Sequence, residues 1–222
     1  MPVVFIKKIN SSTFIGLWNI DGKIKAIDVC PKSVCKKISC MCTKRQEETI
    51  AVYALLQEIK NVYSIWTSDN TQDTEELIIS HDSNGKPLLN NGWQISISHT
   101  VGYASIIISQ NESVSVDIEY ISNRIFKICN RFLNSSETLD FNKSSQRETL
   151  EQKRTRLLLY WCAKEAAYKY FSEEKLTFDE MIVNIDDTIN DFGNIYVTNK
   201  KSRKRISIEY MQNNDFVLTF TY

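Results

Sequence analysis

One acidic side chain lies in an apolar setting where a free carboxylate is energetically costly. Residues 157–171, LLLYWCAKEAAYKYF, predict an amphipathic helix, and Glu165 falls at helical spacing within its apolar stripe. A carboxylate in such a place needs a cation, a metal or a proton. Taken alone, the helix favours the simplest partner, which is Lys169 one turn further along.

A second acidic pair, earlier in the chain, points to a metal instead. Residues 112–120, ESVSVDIEY, alternate apolar and polar side chains, which is the period of a strand with one buried face. Asp117 and Glu119 therefore point to the same side, about 7 Å apart. A divalent cation would remove their repulsion, to which Glu165 would add. Because oxygen ligands suit Mg²⁺, we expect these three residues to bind Mg²⁺, or Mn²⁺ in its place.

The composition argues against several classes of protein. The chain has 222 residues with 27 basic and 27 acidic side chains, so its formal net charge is zero. This balance argues against a surface for nucleic acid or anionic membranes. The apolar runs are too short to span a bilayer, and residues 1–10, MPVVFIKKIN, lack a signal-peptide pattern. We therefore expect a cytoplasmic protein with no membrane or nucleic-acid partner.

Four of the six cysteines fall within residues 30–42. The region contains no C-x-x-C pair, and His81 and His99 do not complete a zinc set of the usual spacing. We expect all six cysteines to be free thiols, as is usual in a reducing compartment.

Hydrophobic periodicity divides the first part of the chain into strands and one long helix. Strands are predicted at 3–6, 14–20, 23–27, 77–79, 93–98 and 103–109. Asp21-Gly22 predicts a hairpin between the second and third of these strands. A helix is predicted at 44–62, with 30–42 irregular and 68–74 a polar loop.

The second part of the chain begins after a polar turn at 110–112. Helices are predicted at 124–132 and at 148–171. Between them, a polar cap at Asn134 predicts the start of a further helix. Strands are predicted at 182–185, 194–197, 206–210 and 217–222. Because helices and strands do not alternate strictly, the order predicts an α+β fold with halves at 1–111 and 112–222.

Four short motifs occur in an order and approximate spacing known from one family. They are GKP at 85–87, ISHT at 97–100, VSVDIE at 114–119 and WCAKEAAYK at 161–169. Together they resemble the 4′-phosphopantetheinyl transferase superfamily, most closely its surfactin-synthetase-activating type. The resemblance implies a monomer of two similar halves, each a small antiparallel sheet with a packed long helix, and an active site in the cleft between them.

The resemblance also implies a reaction. A serine hydroxyl of an apo acyl, peptidyl or aryl carrier protein attacks the β-phosphate of coenzyme A, and adenosine 3′,5′-bisphosphate leaves. Asp117, Glu119 and Glu165 would hold the Mg²⁺ that binds the pyrophosphate. Lys164 would stabilise the leaving group, and Lys169 would neutralise the phosphates.

The earlier motifs would bind the nucleotide half of coenzyme A. By the resemblance, Ser98 and His99 would hold phosphates. The turn formed by Gly85, Lys86 and Pro87 would lie against the adenine.

The first long helix departs from the family pattern at one position. Where related sequences carry an arginine for the nucleotide 3′-phosphate, this chain has Tyr53. The positive charge would then come from Arg45, from Lys44 or from a lysine of 32–37. Alternatively, Tyr53 is a core aromatic residue beside the apolar stripe of the helix.

Glu137 has two interpretations. It ends a stretch similar to a family segment whose glutamate lies near the metal, so it is a candidate base for the serine hydroxyl, as are Glu165 and a metal-bound water. Equally, it fits a capping box or a first-turn acid stabilised by the helix dipole.

Two other functions fit part of the sequence. A non-catalytic module that binds coenzyme A or carrier proteins would explain the departure at Tyr53. An unrelated Mg²⁺-dependent phosphohydrolase would explain the three acidic residues, but it gives no reason for the Trp-x-x-Lys-Glu-x-x-x-Lys run.

Overall fold

The computed structural model describes residues 2–65 and 76–222 of the chain. The chain divides into two compact units, Met1–Val114 and Ser115–Tyr222, named here unit 1 and unit 2. The polar loop expected at 68–74 lies outside the described residues. No helix within the described ranges is both long enough and apolar enough to cross a membrane.

In the described part of unit 1, six antiparallel strands form one sheet. They are β1 (Val3–Lys8), β2 (Thr13–Asn19), β3 (Ile79–His81), β4 (Pro87–Leu89), β5 (Gln94–Thr100) and β6 (Tyr103–Ser109). Their order across the sheet is β1-β2-β6-β5-β4-β3. The strands predicted at 3–6, 14–20, 93–98 and 103–109 are confirmed, with ends that differ by a few residues.

Within the described residues of unit 1, three helices accompany this sheet. They are α1 (Ala26–Val29), α2 (Lys32–Ile38) and α3 (Thr43–Tyr63). The long helix α3 packs against β2 and β6. Its side chains Leu55, Leu56 and Ile59 have almost no exposed surface and join the core of the unit. This confirms the helix predicted at 44–62.

The hairpin predicted at Asp21-Gly22 is wrong. Gly22 does adopt a left-handed turn conformation, with φ of +68°. Residues 23–27 do not continue as a strand, however, and α1 begins within them. The reason is non-local, because β2 already pairs with β1 on one side and with β6 on the other. No edge of β2 is left for the predicted partner.

Residues 30–42 are more regular than expected, because α2 runs through them as a helix of about two turns. Val34 and Ile38, four residues apart, are buried in the core of unit 1. All six cysteines of the chain are free thiols, as predicted.

Five antiparallel strands form the sheet of unit 2. They are β7 (Ser115–Tyr120), β8 (Met181–Asn184), β9 (Phe192–Asn199), β10 (Arg205–Gln212) and β11 (Phe216–Thr221). Their order across the sheet is β7-β11-β10-β9-β8. All five correspond to strands predicted for this part of the chain.

Three helices accompany the sheet of unit 2. They are α4 (Arg124–Ile128), α5 (Ser135–Ser144) and α6 (Leu150–Tyr170). The long helix α6 packs against β7 and β11. Both α5 and α6 begin with a capping box, formed by Asn134 with Glu137 and by Thr149 with Gln152. These caps fix where each helix starts.

The α+β class predicted from the sequence is confirmed. Each unit combines an antiparallel sheet with a packed helix of 21 residues. The division between the units follows residue 114, whereas the sequence placed it after 111. A structural similarity between the two units stays a prediction.

Gly16 lets α3 lie close to β2. A Cβ atom at this position would lie 2.7 Å from Leu55 Cδ1, and the Leu55 side chain is fully buried in the core. We expect Gly16→Ala to lower the free energy of unfolding by about 1–3 kcal/mol, measured by urea denaturation. Leu55→Val makes room for the added methyl group. The loss of unfolding free energy in the Gly16→Ala/Leu55→Val double variant should therefore be smaller than the sum of the losses in the two single variants. Strictly additive losses would contradict this packing.

Candidate functional site

Asp117 and Glu119 lie on β7, and Glu165 lies on α6, which packs against that strand. Asp117 is only 5% exposed, and Glu119 and Glu165 are half-buried. The structure therefore brings all three residues of the predicted metal site to the contact between one strand and one helix of unit 2.

The negative charges of these residues act on one another. Burial raises the pKa of Glu165 to about 7, and the charges of Asp117 and Glu119 add to this rise while Lys169 opposes it. A carboxyl group with such a pKa exchanges its proton near neutral pH. The repulsion inferred from the sequence is thus present in the folded chain.

Lys169 supplies a positive charge to the acidic group. Its Nζ donates to Asp117 Oδ1 at 2.8 Å and to the backbone oxygen of Val116 at 2.8 Å. This ion pair crosses from α6 to β7, whereas the sequence alone favoured Glu165, on the same helix, as the partner. Lys169 is therefore well placed to orient the Asp117 carboxylate.

Trp161 binds the second strand carboxylate from the same helix. Its indole Nε1 donates to Glu119 Oε1 at 3.0 Å. The indole ring packs edge-on against Phe132 and Phe178, with centroid distances of 5.3 and 5.5 Å. A cavity of about 410 Å³ adjoins this pair, and its walls include Glu119, Arg124, Arg131, Leu158 and Trp161.

Within residues 2–65 and 76–222, no three His, Cys, Asp or Glu side chains are arranged as a ready-made metal site. The carboxylates of Asp117, Glu119 and Glu165 nevertheless suit a hard divalent cation, because they are oxygen donors whose mutual repulsion such an ion would remove. In this structure Lys169 performs part of that neutralisation.

Lys164 forms a buried ion pair with Glu137. Its Nζ lies 2.6 Å from Glu137 Oε2 and donates to the backbone oxygens of Phe132 and Phe178, at 2.6 and 2.9 Å. All three N–H groups of the amine are thus used, and the side chain has no exposed surface. Burial lowers the pKa of Lys164, and the bond and charge of Glu137 oppose that effect.

Glu137 is equally engaged. Its Oε1 accepts from the N–H of Val183 at 2.8 Å, and its Oε2 accepts from the N–H of Asn134 at 2.9 Å. The residue is 1% exposed, and its interpretation as part of a capping box is confirmed. The leaving-group role of Lys164 and the base role of Glu137 do not fit this geometry, because both side chains spend their hydrogen bonds inside the core.

In unit 1, Arg45 and His99 meet at Glu48, a buried acid of α3. Glu48 Oε2 lies 3.3 Å from Arg45 Nη1, and Glu48 Oε1 lies 3.3 Å from His99 Nδ1. Arg45 Nη1 is also 2.7 Å from His99 Nε2. Sequence reasoning missed Glu48, because it lay among the polar residues of the helix. The available signal was its i,i+3 spacing from Arg45.

A cavity of about 450 Å³ lies beside these three residues. Its walls include Lys37, Arg45, Glu48, Tyr53, Pro87 and His99. Of the residues predicted to bind the nucleotide, Arg45, Gly85, Pro87 and His99 therefore line one cavity. The described walls do not include Lys86, which is half-buried before β4, or Ser98, which is buried on β5.

His99 lies inside β5, one residue before its end, so this strand continues past the end predicted at residue 98. The strand pairs His99 with Ala104 of β6. The turn itself falls at Gly102, whose φ is +77°. His99 is thus held by a regular ladder, which fixes its direction more firmly than a turn would.

Tyr53 is a core residue that also reaches the cavity of unit 1. It is 3% exposed, and its hydroxyl oxygen accepts a hydrogen bond from the Ile79 N–H at 3.0 Å. Burial raises the pKa of Tyr53, so the side chain stays a neutral phenol. These contacts support the packing interpretation of Tyr53.

Residues 113–221 match the family model described as 4'-phosphopantetheinyl transferase superfamily. This part of the chain, which contains Asp117, Glu119 and Glu165, is therefore similar to that superfamily. No curated protein matches the chain. Residues 1–112 lie outside the matched range.

The raised pKa of Glu165 predicts a pH dependence of stability. Between its ordinary value of 4.5 and about 7, the folded chain binds more protons at this group than the unfolded chain does. The stability of the metal-free wild type, relative to Glu165→Gln, should therefore fall as the pH rises through this window and level off above it. Urea denaturation with a chelator present measures this difference.

Glu151→Gln is the matched control for that experiment, since Glu151 is exposed on the same helix. The stability of this control should depend on pH in the same way as the stability of the wild type. A Glu165→Gln profile that runs parallel to the wild type would contradict the raised pKa.

The Lys164–Glu137 pair predicts a non-additive effect on stability. Lys164→Met should lower the free energy of unfolding by about 3–5 kcal/mol, because it leaves Glu137 as an unpaired buried charge. Adding Glu137→Gln removes that charge and keeps an oxygen for one of the two backbone N–H groups, so part of the loss should be recovered. A double variant less stable than Lys164→Met would show that the pair is not the source of the effect.

Proposed function

We propose that this protein transfers the 4′-phosphopantetheine group of coenzyme A to a serine of an apo acyl, peptidyl or aryl carrier protein. The observation that carries the proposal is the cluster of Asp117, Glu119 and Glu165 in a domain that matches the superfamily. The serine Oγ forms a bond to the β-phosphorus, and the bond from that phosphorus to the bridging oxygen breaks. The bridging oxygen leaves with adenosine 3′,5′-bisphosphate.

The proposed cofactor is Mg²⁺, held by Asp117, Glu119 and Glu165. A bound divalent ion neutralises the charge of a pyrophosphate and of its leaving group. Two further residues keep the carboxylates in position, since Lys169 donates to Asp117 and Trp161 donates to Glu119. Such supporting hydrogen bonds fix the direction of a ligand oxygen before the cation arrives.

The attacking serine must lose its proton. Glu165 is the proposed acceptor, because its carboxylate lies in the acidic group of Asp117 and Glu119 and is not enclosed in the core. Glu137 is a poor acceptor, since its two oxygens accept backbone N–H groups and the amine of Lys164. The proton is thus assigned to the Glu165 carboxyl group.

Each unit contains a cavity whose walls suit one part of coenzyme A. The cavity of unit 1, about 450 Å³, offers Pro87 to the adenine ring and Arg45 to a phosphate. The cavity of unit 2, about 410 Å³, adjoins Glu119 and presents the apolar side chains of Leu158 and Trp161 to the pantetheine chain. Each cavity is of a size usual for small-molecule sites.

A non-catalytic module that binds coenzyme A or carrier proteins is the second candidate. The burial of Lys164 favours it, because the amine has no N–H group left for a leaving phosphate. Intact mass spectrometry of an apo carrier protein separates the two candidates. Transfer adds the mass of the phosphopantetheine group to the carrier protein, whereas binding alone adds none.

Asp117→Asn should slow this transfer by about 10²–10³-fold, which is typical for the loss of one charge-stabilising group in a phosphoryl-type reaction. The side chain keeps its shape and an oxygen for Lys169 but loses the charge that a cation needs. The rate is measured from the mass of the carrier protein over time, with coenzyme A and Mg²⁺ present.

Two controls accompany this measurement. Glu151→Gln removes an acid from the exposed start of α6 and should transfer at the wild-type rate. A chelator should stop transfer by the wild type. Full activity of Asp117→Asn in the chelator would refute the metal assignment.

A further inference from the structure

The cavity of unit 1 has an acid at the place where the proposed function needs a cation. Among the described residues of its walls, Glu48 is the one carboxylate. Its side chain is 6% exposed, whereas those of Arg45 and His99 are 54% and 33% exposed. The two residues expected to meet a phosphate thus lie toward solvent, and a buried negative charge lies behind them.

The contacts of Glu48 determine the state of His99. An arginine N–H can only donate, so His99 Nε2, 2.7 Å from Arg45 Nη1, accepts. The proton of the ring is therefore on Nδ1, which faces Glu48 Oε1 at 3.3 Å. These contacts assign His99 as a neutral imidazole. In that state it contributes no positive charge toward a phosphate.

Arg45 is affected by the same carboxylate. Its Nη1 lies 3.3 Å from Glu48 Oε2, and Lys44 forms a further pair with Glu48 at 3.8 Å. The negative charge of Glu48 offsets the positive charge of one of these two side chains. A phosphate that entered the cavity would have to compete with an internal carboxylate for the guanidinium of Arg45.

We infer that Glu48 determines the specificity of this site and lowers its preference for a 3′-phosphorylated adenine nucleotide. The inference rests on the proposed function, because it takes the adenosine of coenzyme A as the occupant of the cavity. This chain would then accept coenzyme A and 3′-dephospho-coenzyme A with similar efficiency. Glu48 acts through the groups that it binds and is a positioning residue, not a catalytic one.

Direct binding of two nucleotides tests the inference without the transfer reaction. Adenosine 3′,5′-bisphosphate and adenosine 5′-monophosphate differ only in the 3′-phosphate, so calorimetry with each gives an affinity ratio for that group. Glu48→Gln should raise this ratio about five- to tenfold, the difference between neutral and charged hydrogen bonds. If Glu48 had a purely structural role, Glu48→Gln would weaken the binding of both nucleotides equally and would leave the affinity ratio unchanged.

Glu47→Gln is the matched control, since it removes the same charge from the neighbouring position of α3, where Glu47 lines a different pocket with Trp18 and Gly22. Its affinity ratio should equal that of the wild type. An equal rise in both variants would show that net charge, and not Glu48, is responsible, and would overturn the inference.

Arg45→Gln keeps the test decisive if Glu48→Gln does not fold. Because Glu48 already offsets the charge of Arg45, losing Arg45 should change the affinity ratio of the wild type less than twofold. A fall of fivefold or more would overturn the inference, as would the absence of binding by either nucleotide to the wild type. Failure of phosphopantetheine transfer would instead refute the proposed function and would leave these nucleotide affinities measurable.

Discussion

The buried ion pair between Lys164 and Glu137 is the interaction on which the geometry of unit 2 depends. It joins α6 to the first turn of α5, and Glu137 continues the connection to β8 through the N–H of Val183. Lys164 adds bonds to the backbone of Phe132 and Phe178. One amine thus ties the helix to three separate parts of the chain.

This constraint fixes the rotation of α6 about its own axis. Successive residues of a helix point about 100° apart, so a Lys164 side chain held toward α5 and β8 turns Glu165 toward a different neighbour. That neighbour is β7, where Asp117 and Glu119 influence the pKa of Glu165. The sequence Lys-Glu therefore combines an anchor and a functional acid in adjacent positions, and the first sets the direction of the second.

Much of the acidic site could be predicted from the sequence, because it depends on local periods. The two-residue period of 115–120 and the helical period of 157–171 suffice to place Asp117, Glu119 and Glu165 on packed faces. The capping box of Glu137 is also local, since it spans three residues. The partner of Lys164 was not predictable in this way, because no period relates a lysine to carbonyl groups elsewhere in the chain.

The errors share that cause. The strand expected after Asp21-Gly22 failed because distant strands occupy both edges of β2. Glu48 looked like a surface residue of an amphipathic helix until His99, from a strand far along the chain, was placed against it. In each case the local pattern was correct and a long-range contact decided the outcome, which is the usual limit of periodicity as a guide to structure.

The hydrogen bond from Trp161 to Glu119 has an optical consequence. The four tryptophans of the chain are at positions 18, 66, 93 and 161, so unit 2 contains a single indole, and it touches a residue of the acidic cluster. Indole emission responds to the charge and polarity around the ring. The chain therefore carries, within its own sequence, a fluorophore in direct contact with one of the carboxylates proposed to bind the cation.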